Sequence, residues 1–403
     1  MKNMINQLIK DHQPGYSLPR SFYTSAEVYE KDLALYWGLN WIWVGHASQL
    51  PDIGSYFVTE FGNESVIIVR DTDGQIKAHL NVCRHRGSRV CLQQAGKARS
   101  FVCPYHAWTY SLNGELRSGR LMAPEFDRQQ HGLKSVSLVD FQGLIFICLL
   151  DKPPPIEQAL EKIAPLTEPF RLDQLKVVHQ ASYPVPANWK LALENYLECY
   201  HCAPSHKEYS KSHSLKDPDS MSEKLLERLR QRSIKSGLPT DVISATGGSA
   251  EALCADTYYR RYPLYDGYDT GSKDGRGLSC LLGDLQSYDG GATDLMIGPL
   301  NSFLIYADHM VAYRFIPTGV QTTDIQTLWL VNSKAQAGVD YDVKNLIWLW
   351  DVTTRDDERI IRNNQRGVNS FHYQPGPLST MEWGISDFYT GYLDVLRRSD
   401  ITV

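Results

Sequence analysis

Two groups of cysteine and histidine stand out by their spacing in this 403-residue chain. The first combines Cys83 and His85, in Cys83-Arg-His-Arg-Gly87, with Cys103 and His106, in Cys103-Pro-Tyr-His106. Two thiolates and two neutral imidazoles suit either tetrahedral zinc or a [2Fe–2S] cluster, with one iron on two sulfurs and the other on two histidines. Imidazole in place of thiolate raises the potential of such a cluster and fits it to pass single electrons. Gly87 can take the turn conformation that lets backbone amides approach the sulfurs. Each Cys/His pair is expected at the tip of a β-hairpin.

The second group lies in Asn188-Trp-Lys-Leu-Ala-Leu-Glu194-Asn195-Tyr-Leu-Glu198-Cys-Tyr-His201-Cys-Ala-Pro204-Ser-His206. The stretch opens like a helix with Asn188 as N-cap, and at 100° per residue Glu194, Glu198 and His201 share one stripe. A stripe of that kind can simply face water. Pro204, however, is expected to stop the helix, so that His206 folds back toward His201. Two imidazoles brought together need one carboxylate to form the facial triad of a non-haem iron(II) oxygenase. Spacing leaves Asp351, Asp356, Asp357 and Glu358 open as that carboxylate. An iron site that activates O2 needs electrons from outside the substrate, which a one-electron cluster can relay, so the two groups belong together.

These groups need elements to hold them. Residues 1–40 read as a polar lead and an amphipathic helix near Ser25–Trp37. From 41 to 150 short β runs alternate with turns, including hairpins across Asp73-Gly74 and Asn113-Gly114. Pro153-Pro-Pro155 marks a boundary. Residues 151–403 then mix helices (about 156–170, 188–202, 222–236 and 342–365) with strands (about 176–184, 302–317 and 324–332), an α+β pattern. Residues 207–295 read as a long excursion that forms a lid over the site.

Composition narrows the classes further. Apolar residues at 42% and charged residues at 22% are ordinary for a globular protein with a substantial core. The net charge of −5 offers no basic excess for nucleic acid or an anionic membrane. The longest apolar run, Leu144–Leu150, is far short of the ~20 residues of a membrane span. Met1-Lys-Asn-Met-Ile is too polar to start a secretory signal, which points to the cytoplasm. Eight cysteines are too sparse for a disulfide scaffold and suggest metal or catalytic use. No Gly-x-Gly-x-x-Gly follows a strand, so electrons must come from a partner.

The composite Cys-x-His-Arg-Gly … Cys-Pro-Tyr-His-Ala-Trp108 resembles the Rieske cluster motif, in which the tryptophan shields the cluster. With the Asn-Trp-Lys … His-x4-His stretch in the expected order, the whole chain resembles the α subunit of a Rieske non-haem iron oxygenase. The resemblance implies an N-terminal all-β Rieske domain, a catalytic domain of the helix-grip kind, and a [2Fe–2S] cluster on Cys83, His85, Cys103 and His106. It implies Fe(II) on His201, His206 and an aspartate eight positions before a late glutamine. That aspartate is Asp357, ahead of Gln365, with Asp356 as the fallback. It also implies a homotrimer and an NAD(P)H-dependent flavin or iron–sulfur reductase. Glu198 would bridge His201 to His106 of the neighbouring subunit, and Asn195 joins it in the catalytic set. Most ring-hydroxylating members carry Asp at the bridge.

A glutamate there resembles the subgroup that oxidises quaternary ammonium compounds such as glycine betaine and carnitine, releasing formaldehyde by N-demethylation. Such a cation wants aromatic faces, worth roughly 0.5–2 kcal/mol per contact. Tyr258, Tyr259, Tyr262, Tyr265 and Tyr268, with Phe303, Tyr306, Tyr313, Phe315 and Trp329, are the candidates, although core packing is the default role of any one of them. One alternative is an aromatic ring hydroxylase or aryl O-demethylase of the same family. The other is a non-enzymatic module with zinc on Cys83, His85, Cys103 and His106 and again on Cys199, His201, Cys202 and His206.

Overall fold

The computed structural model describes residues 2–213, 219–240, 243–244 and 257–397. The chain divides into two compact units, Ile42–Pro153 and Met1–Trp41 with Pro154–Val403. The lead holds three helices, α1 (Lys2–Asp11), α2 (Ser21–Thr24) and α3 (Ala26–Lys31), and α3 runs into a π-helical turn, Asp32–Trp37. The Ser25 hydroxyl caps α3 by accepting from the Val28 amide at 3.4 Å.

The unit Ile42–Pro153 is all β. Its strands are β1 (Ile42–His46), β2 (Ser55–Phe61), β3 (Glu64–Arg70), β4 (Ile76–Leu80), β5 (Ala95–Lys97), β6 (Phe101–Val102), β7 (Thr109–Tyr110), β8 (Leu116–Ser118), β9 (Ser135–Phe141) and β10 (Leu144–Cys148). Seven of them form one sheet in the order β1-β10-β9-β4-β3-β2-β5, and β6-β7-β8 form a smaller one. Ile67, Val69, Phe101, Trp108, Tyr110 and Leu112 pack with Cys83 and Cys103 into one core, so both cysteines grow out of buried apolar packing.

The other unit centres on a seven-stranded antiparallel sheet. It comprises β11 (Leu175–Val185), β12 (Ile243–Ser244), β13 (Tyr258–Pro263), β14 (Gly291–Met296), β15 (Ser302–Ile305), β16 (Met310–Gly319) and β17 (Thr322–Asn332), in the order β11-β17-β16-β15-β14-β13-β12. Its later helices are α4 (Glu157–Thr167), α5 (Trp189–Tyr196), α6 (Cys202–Ser205), α7 (Asp219–Lys235), α8 (Val343–Val368) and α9 (Trp383–Arg397). Helix α8 packs on β11 and α5 on β16, which gives the α+β layering.

Three expectations need correction. The run 302–317 is two strands, because the chain turns at Ala307–Asp308–His309 and His309 Nδ1 pairs with the Asp308 carboxylate at 2.7 Å. In the stretch expected as an excursion, 207–295, residues 258–263 and 291–296 are strands of the main sheet, and α7 packs on β13. Residues 214–218, 241–242 and 245–256 of the expected lid lie outside the described residues. Finally, the helix expected over 188–202 ends at Tyr196.

Helix α5 is anchored from several sides. Lys190 and Asp32 form a buried ion pair, and Asp32 also accepts from Trp189 Nε1 at 3.1 Å and from the Tyr392 hydroxyl at 2.6 Å. Glu194 turns away from the expected stripe and accepts from the Tyr23 hydroxyl at 3.1 Å. Burial pushes its carboxyl up to about 8. At the helix start, the Asn188 side chain caps the Lys190 amide at 3.1 Å, and the Gln365 side-chain oxygen accepts from the Asn188 amide at 2.8 Å. Gln365 therefore ties α5 to α8.

Candidate metal centres

Two loops in the all-β unit repeat one backbone design. The Gly87 amide donates to the Cys83 carbonyl at 2.9 Å, and the Ala107 amide donates to the Cys103 carbonyl at 3.0 Å. In return the Cys83 amide donates to the Ser88 carbonyl and the Cys103 amide to the Trp108 carbonyl, each at 2.8 Å. Both loops close through a left-handed residue four positions after the cysteine, Gly87 at φ 79° and Ala107 at φ 58°. The glycine was legible from sequence, whereas an alanine in that conformation carries no such signal. Only the second loop tips a hairpin, β6–β7; the first joins β4 to β5, which pair with other strands.

The loops bring their donors together. His85 Nδ1 lies 3.1 Å from His106 Nδ1, and Cys83 and Cys103 face each other in the core. Burial raises the Cys83 thiol, with the neighbouring Cys103 adding to the rise. Trp108 is buried and stacks on the His85 ring at 4.9 Å. The Tyr110 hydroxyl reaches Cys83 Sγ at 3.3 Å and accepts from the Arg84 amide at 3.0 Å. Two ring nitrogens and two sulfurs converging at one place suit a metal cluster.

The second centre is assembled at a break in the chain. Past Tyr196 the helix stops, and the Glu198 carboxylate accepts from the amides of Tyr200 and His201, the latter at 3.3 Å. The break thus comes before Pro204, which sits inside the short α6, and the stripe expected for Glu194, Glu198 and His201 does not form. Glu198 Oε1 meets His201 Nδ1 at 2.5 Å, which turns Nε2 of that ring inward. His201 Nε2 lies 3.1 Å from His206 Nε2, and Asp357 Oδ1 lies 3.3 Å and 3.0 Å from these two nitrogens. Ligands at about 2.1 Å on adjacent octahedral positions are about 3.0 Å apart, so the three atoms have the spacing of a face around one metal ion.

The charges agree with that spacing. Burial acts to raise the Asp357 carboxyl, but His201 and His206 more than offset it and hold it below the usual carboxylate range. Burial acts to lower His201, yet Asp357 and Glu198 hold it up, to about 9. A metal ion must displace that proton, so metal uptake weakens as pH falls.

The other candidate acids go elsewhere. Asp356 reaches His206 at Nδ1, 3.7 Å away on the far side of the ring, and pairs with Arg359 at 3.9 Å. Asp351 accepts from the Tyr183 hydroxyl at 2.7 Å, and Glu358 pairs with Arg362. Asn195 Nδ2 stands 3.2 Å from His201 Nε2, beside the triad. Cys202 comes close to both histidines, but it is joined to Cys199 in a disulfide, so the expected alternative of zinc thiolates at this place does not hold.

Aromatic rings gather beside the triad. Tyr209 lies 6.1 Å from the His206 ring and 5.5 Å from Trp350, and Tyr313 lies 6.0 Å from Trp350 and 5.4 Å from Tyr196. Tyr196, Tyr209 and Trp350 were missed in the sequence. Tyr209 alone carried a signal, three positions after His206. Among the predicted candidates, Tyr306, Tyr313 and Phe315 join this cluster, Tyr306 at 6.3 Å from Trp350. Tyr259 and Phe303 are buried on the opposite sheet face, as the register of β13–β16 requires.

Comparison with known proteins gives a family match for each part of the chain. Residues 40–137 match the Rieske [2Fe-2S] domain, and residues 172–398 match the ring hydroxylating alpha subunit (catalytic domain). The chain is 36% identical to the glycine betaine monooxygenase oxygenase subunit of Chromohalobacter salexigens, over 98% of this chain and 89% of that protein. It is 34% identical to the subunit of the same name from Pseudomonas aeruginosa, over 96% and 90%. Among solved structures, a quaternary ammonium Rieske monooxygenase superposes with a TM-score of 0.71 over 97% of this chain and 98% of that one, at 22% identity. Naphthalene 1,2-dioxygenase superposes with 0.70 over 97% and 95%, at 21% identity, so these two likenesses speak to the fold. No helix among the described residues is long and apolar enough to cross a membrane. The chain belongs to the Rieske non-haem iron oxygenases, as an oxygenase α subunit that uses a Rieske [2Fe–2S] cluster and a mononuclear iron.

Proposed function

We propose that this oxygenase hydroxylates an N-methyl group of a small quaternary ammonium betaine, with glycine betaine as the model substrate. The observation that carries this reading is the likeness to glycine betaine monooxygenase subunits over nearly the whole chain. The aromatic cluster beside the triad supports it, since ring faces attract a cation that has no N–H to donate. The substrate, O2, two electrons and two protons give the N-hydroxymethyl compound and water. That hemiaminal then breaks its C–N bond to release formaldehyde, a proton and the demethylated amine.

Cys83, His85, Cys103 and His106 would hold the cluster, and His201, His206 and Asp357 the iron. The cluster supplies single electrons, and the iron supplies a place for O2 to be activated. The chain's own residues prepare both places. Trp108 keeps water off the His85 ring, and Glu198 sets the orientation of His201. The exposed His106 offers its outer ring edge to a partner. We propose that this partner is Glu198 of the partner subunit in a head-to-tail homotrimer. A separate NAD(P)H-dependent reductase, of flavin or iron–sulfur type, delivers the electrons, in keeping with a cytoplasmic enzyme.

Tyr110→Phe tests the cluster assignment. It removes a hydrogen bond to Cys83 Sγ and should lower the reduction potential while leaving the absorption spectrum in place. An unchanged potential would argue against Cys83 as a ligand. The function itself is tested with a reductase and NADH. O2 uptake should rise with glycine betaine, carnitine or choline and stay at background with salicylate or naphthalene. The reverse pattern would make this an aromatic hydroxylase.

A further inference from the structure

One buried carboxylate near the triad has no work in the fold. Opposed residues of antiparallel strands share a face. Across β13–β16, Arg260, Asp294, Leu304 and Val311 therefore line up in one row, and Tyr258, Met296, Ser302 and Tyr313 in the next. This face looks toward α8, because the Tyr313 hydroxyl meets Thr354 Oγ1 at 3.1 Å, one turn before Asp357. Along these four strands Asp294 is the one carboxylate on that face and Arg260 the one guanidinium.

Although directly opposed, the two do not form an ion pair within 4.0 Å among the described residues. The Arg260 guanidinium instead lies over the Tyr262 ring at 5.1 Å. Asp294 Oδ1 is buried and has no hydrogen-bond partner among the described residues. A buried carboxylate left in this state is costly unless something else pairs with it. Asp294, Tyr196 and Tyr209 are each only half-buried, so protein atoms do not cover them completely. Tyr209 feels the charges of both Asp294 and Asp357, so it lies near the lone carboxylate and near the triad.

A betaine is a zwitterion with its ammonium and carboxylate a few bonds apart. We propose that Asp294 and Arg260 form a matched pair for this zwitterion, Asp294 facing the quaternary ammonium across the ring of Tyr209 and Arg260 taking the carboxylate. The pair selects short betaines over neutral aromatics, because an uncharged substrate leaves the Asp294 carboxylate without a cation to face it. Without ligand, burial pushes the Asp294 carboxyl up to about 7, against the pull of Arg260. The other groups that face it are phenols, Tyr196, Tyr209, Tyr258 and Tyr262. Cation binding favours the ionised form, so affinity should rise with pH through that range.

The inference rests on the betaine reading, and its test separates the two. Binding is measured by anaerobic calorimetry on the metal-loaded protein with glycine betaine, with choline, and with 3,3-dimethylbutanoate, the carbon isostere that keeps the carboxylate and lacks the cation. Asp294→Asn should weaken glycine betaine about tenfold or more, leave 3,3-dimethylbutanoate unchanged and flatten the pH dependence. Asp294→Ser repeats the comparison with a smaller neutral residue. Arg260→Gln should weaken glycine betaine and 3,3-dimethylbutanoate alike and spare choline. Wild-type protein that binds glycine betaine, with Asp294 variants that bind it equally well, would overturn this inference alone. Wild-type protein that binds no quaternary ammonium would overturn the betaine reading and this inference with it.

Discussion

Asp357→Ala is expected to reduce turnover to background while the cluster absorption remains. Among the described residues, the side chain supplies the one carboxylate oxygen within 3.3 Å of both inward imidazole nitrogens. Without it the two histidines remain as a two-ligand site, and no other acid on α8 can move in: Asp356 faces the wrong ring nitrogen, and Asp351 and Glu358 are engaged elsewhere. Metal analysis should find the two cluster irons retained and the third lost. Because Asp357 also holds His201 in its charged form, the metal-free variant should show a lower His201 pKa by NMR, in the direction that burial alone favours. Full iron content with normal turnover would remove Asp357 from the ligand set.

The second large effect is at Glu198. Glu198→Ala should keep both metals and slow electron delivery from cluster to iron by roughly 10–100-fold or more, the usual scale for losing a residue that orients a metal ligand. The carboxylate does two things at once: its Oε1 fixes His201 Nδ1 at 2.5 Å, and its other oxygen takes the amides that shape the turn. Glu198→Gln keeps the size and an oxygen for the amides but loses the charge, so it separates turn shape from electron delivery. The readout is the rate at which a reduced cluster bleaches on mixing with O2 and substrate. An unchanged rate in Glu198→Ala would refute the bridging role.

Much of this was legible in the sequence because certain residue types act locally. The Asn113-Gly114 and Asp73-Gly74 turns mark hairpins that form, and the capping residue Asn188 marks where α5 begins. The paired Cys/His motifs pointed to the cluster domain because four soft ligands in that pattern serve few other purposes. What could not be read depends on tertiary context. The helix after Asn188 stops at Tyr196 because Glu198 binds amides ahead of it, a competition that helical periodicity does not reveal. Glu194 shares a helical stripe with Glu198 on paper, yet the partners that claim it come from the distant Tyr23 and Tyr389. Asp294 drew no notice because a lone acid in a Gly- and Asp-rich stretch looks like surface, and only strand register puts it on the inner face. Gln365 was seen as a landmark for Asp357, and its bond to the Asn188 amide gives the physical reason: it sets the distance between the helix carrying the aspartate and the segment carrying the histidines.

The central claim is that O2 is spent on an N-methyl group of a quaternary ammonium compound. The most direct measurement is a single turnover with chemically reduced enzyme, O2 and glycine betaine, and no partner protein. It should release formaldehyde and dimethylglycine in equal amounts, in proportion to the cluster oxidised. A hydroxylated ring from an aromatic substrate, with no formaldehyde from any betaine, would contradict it.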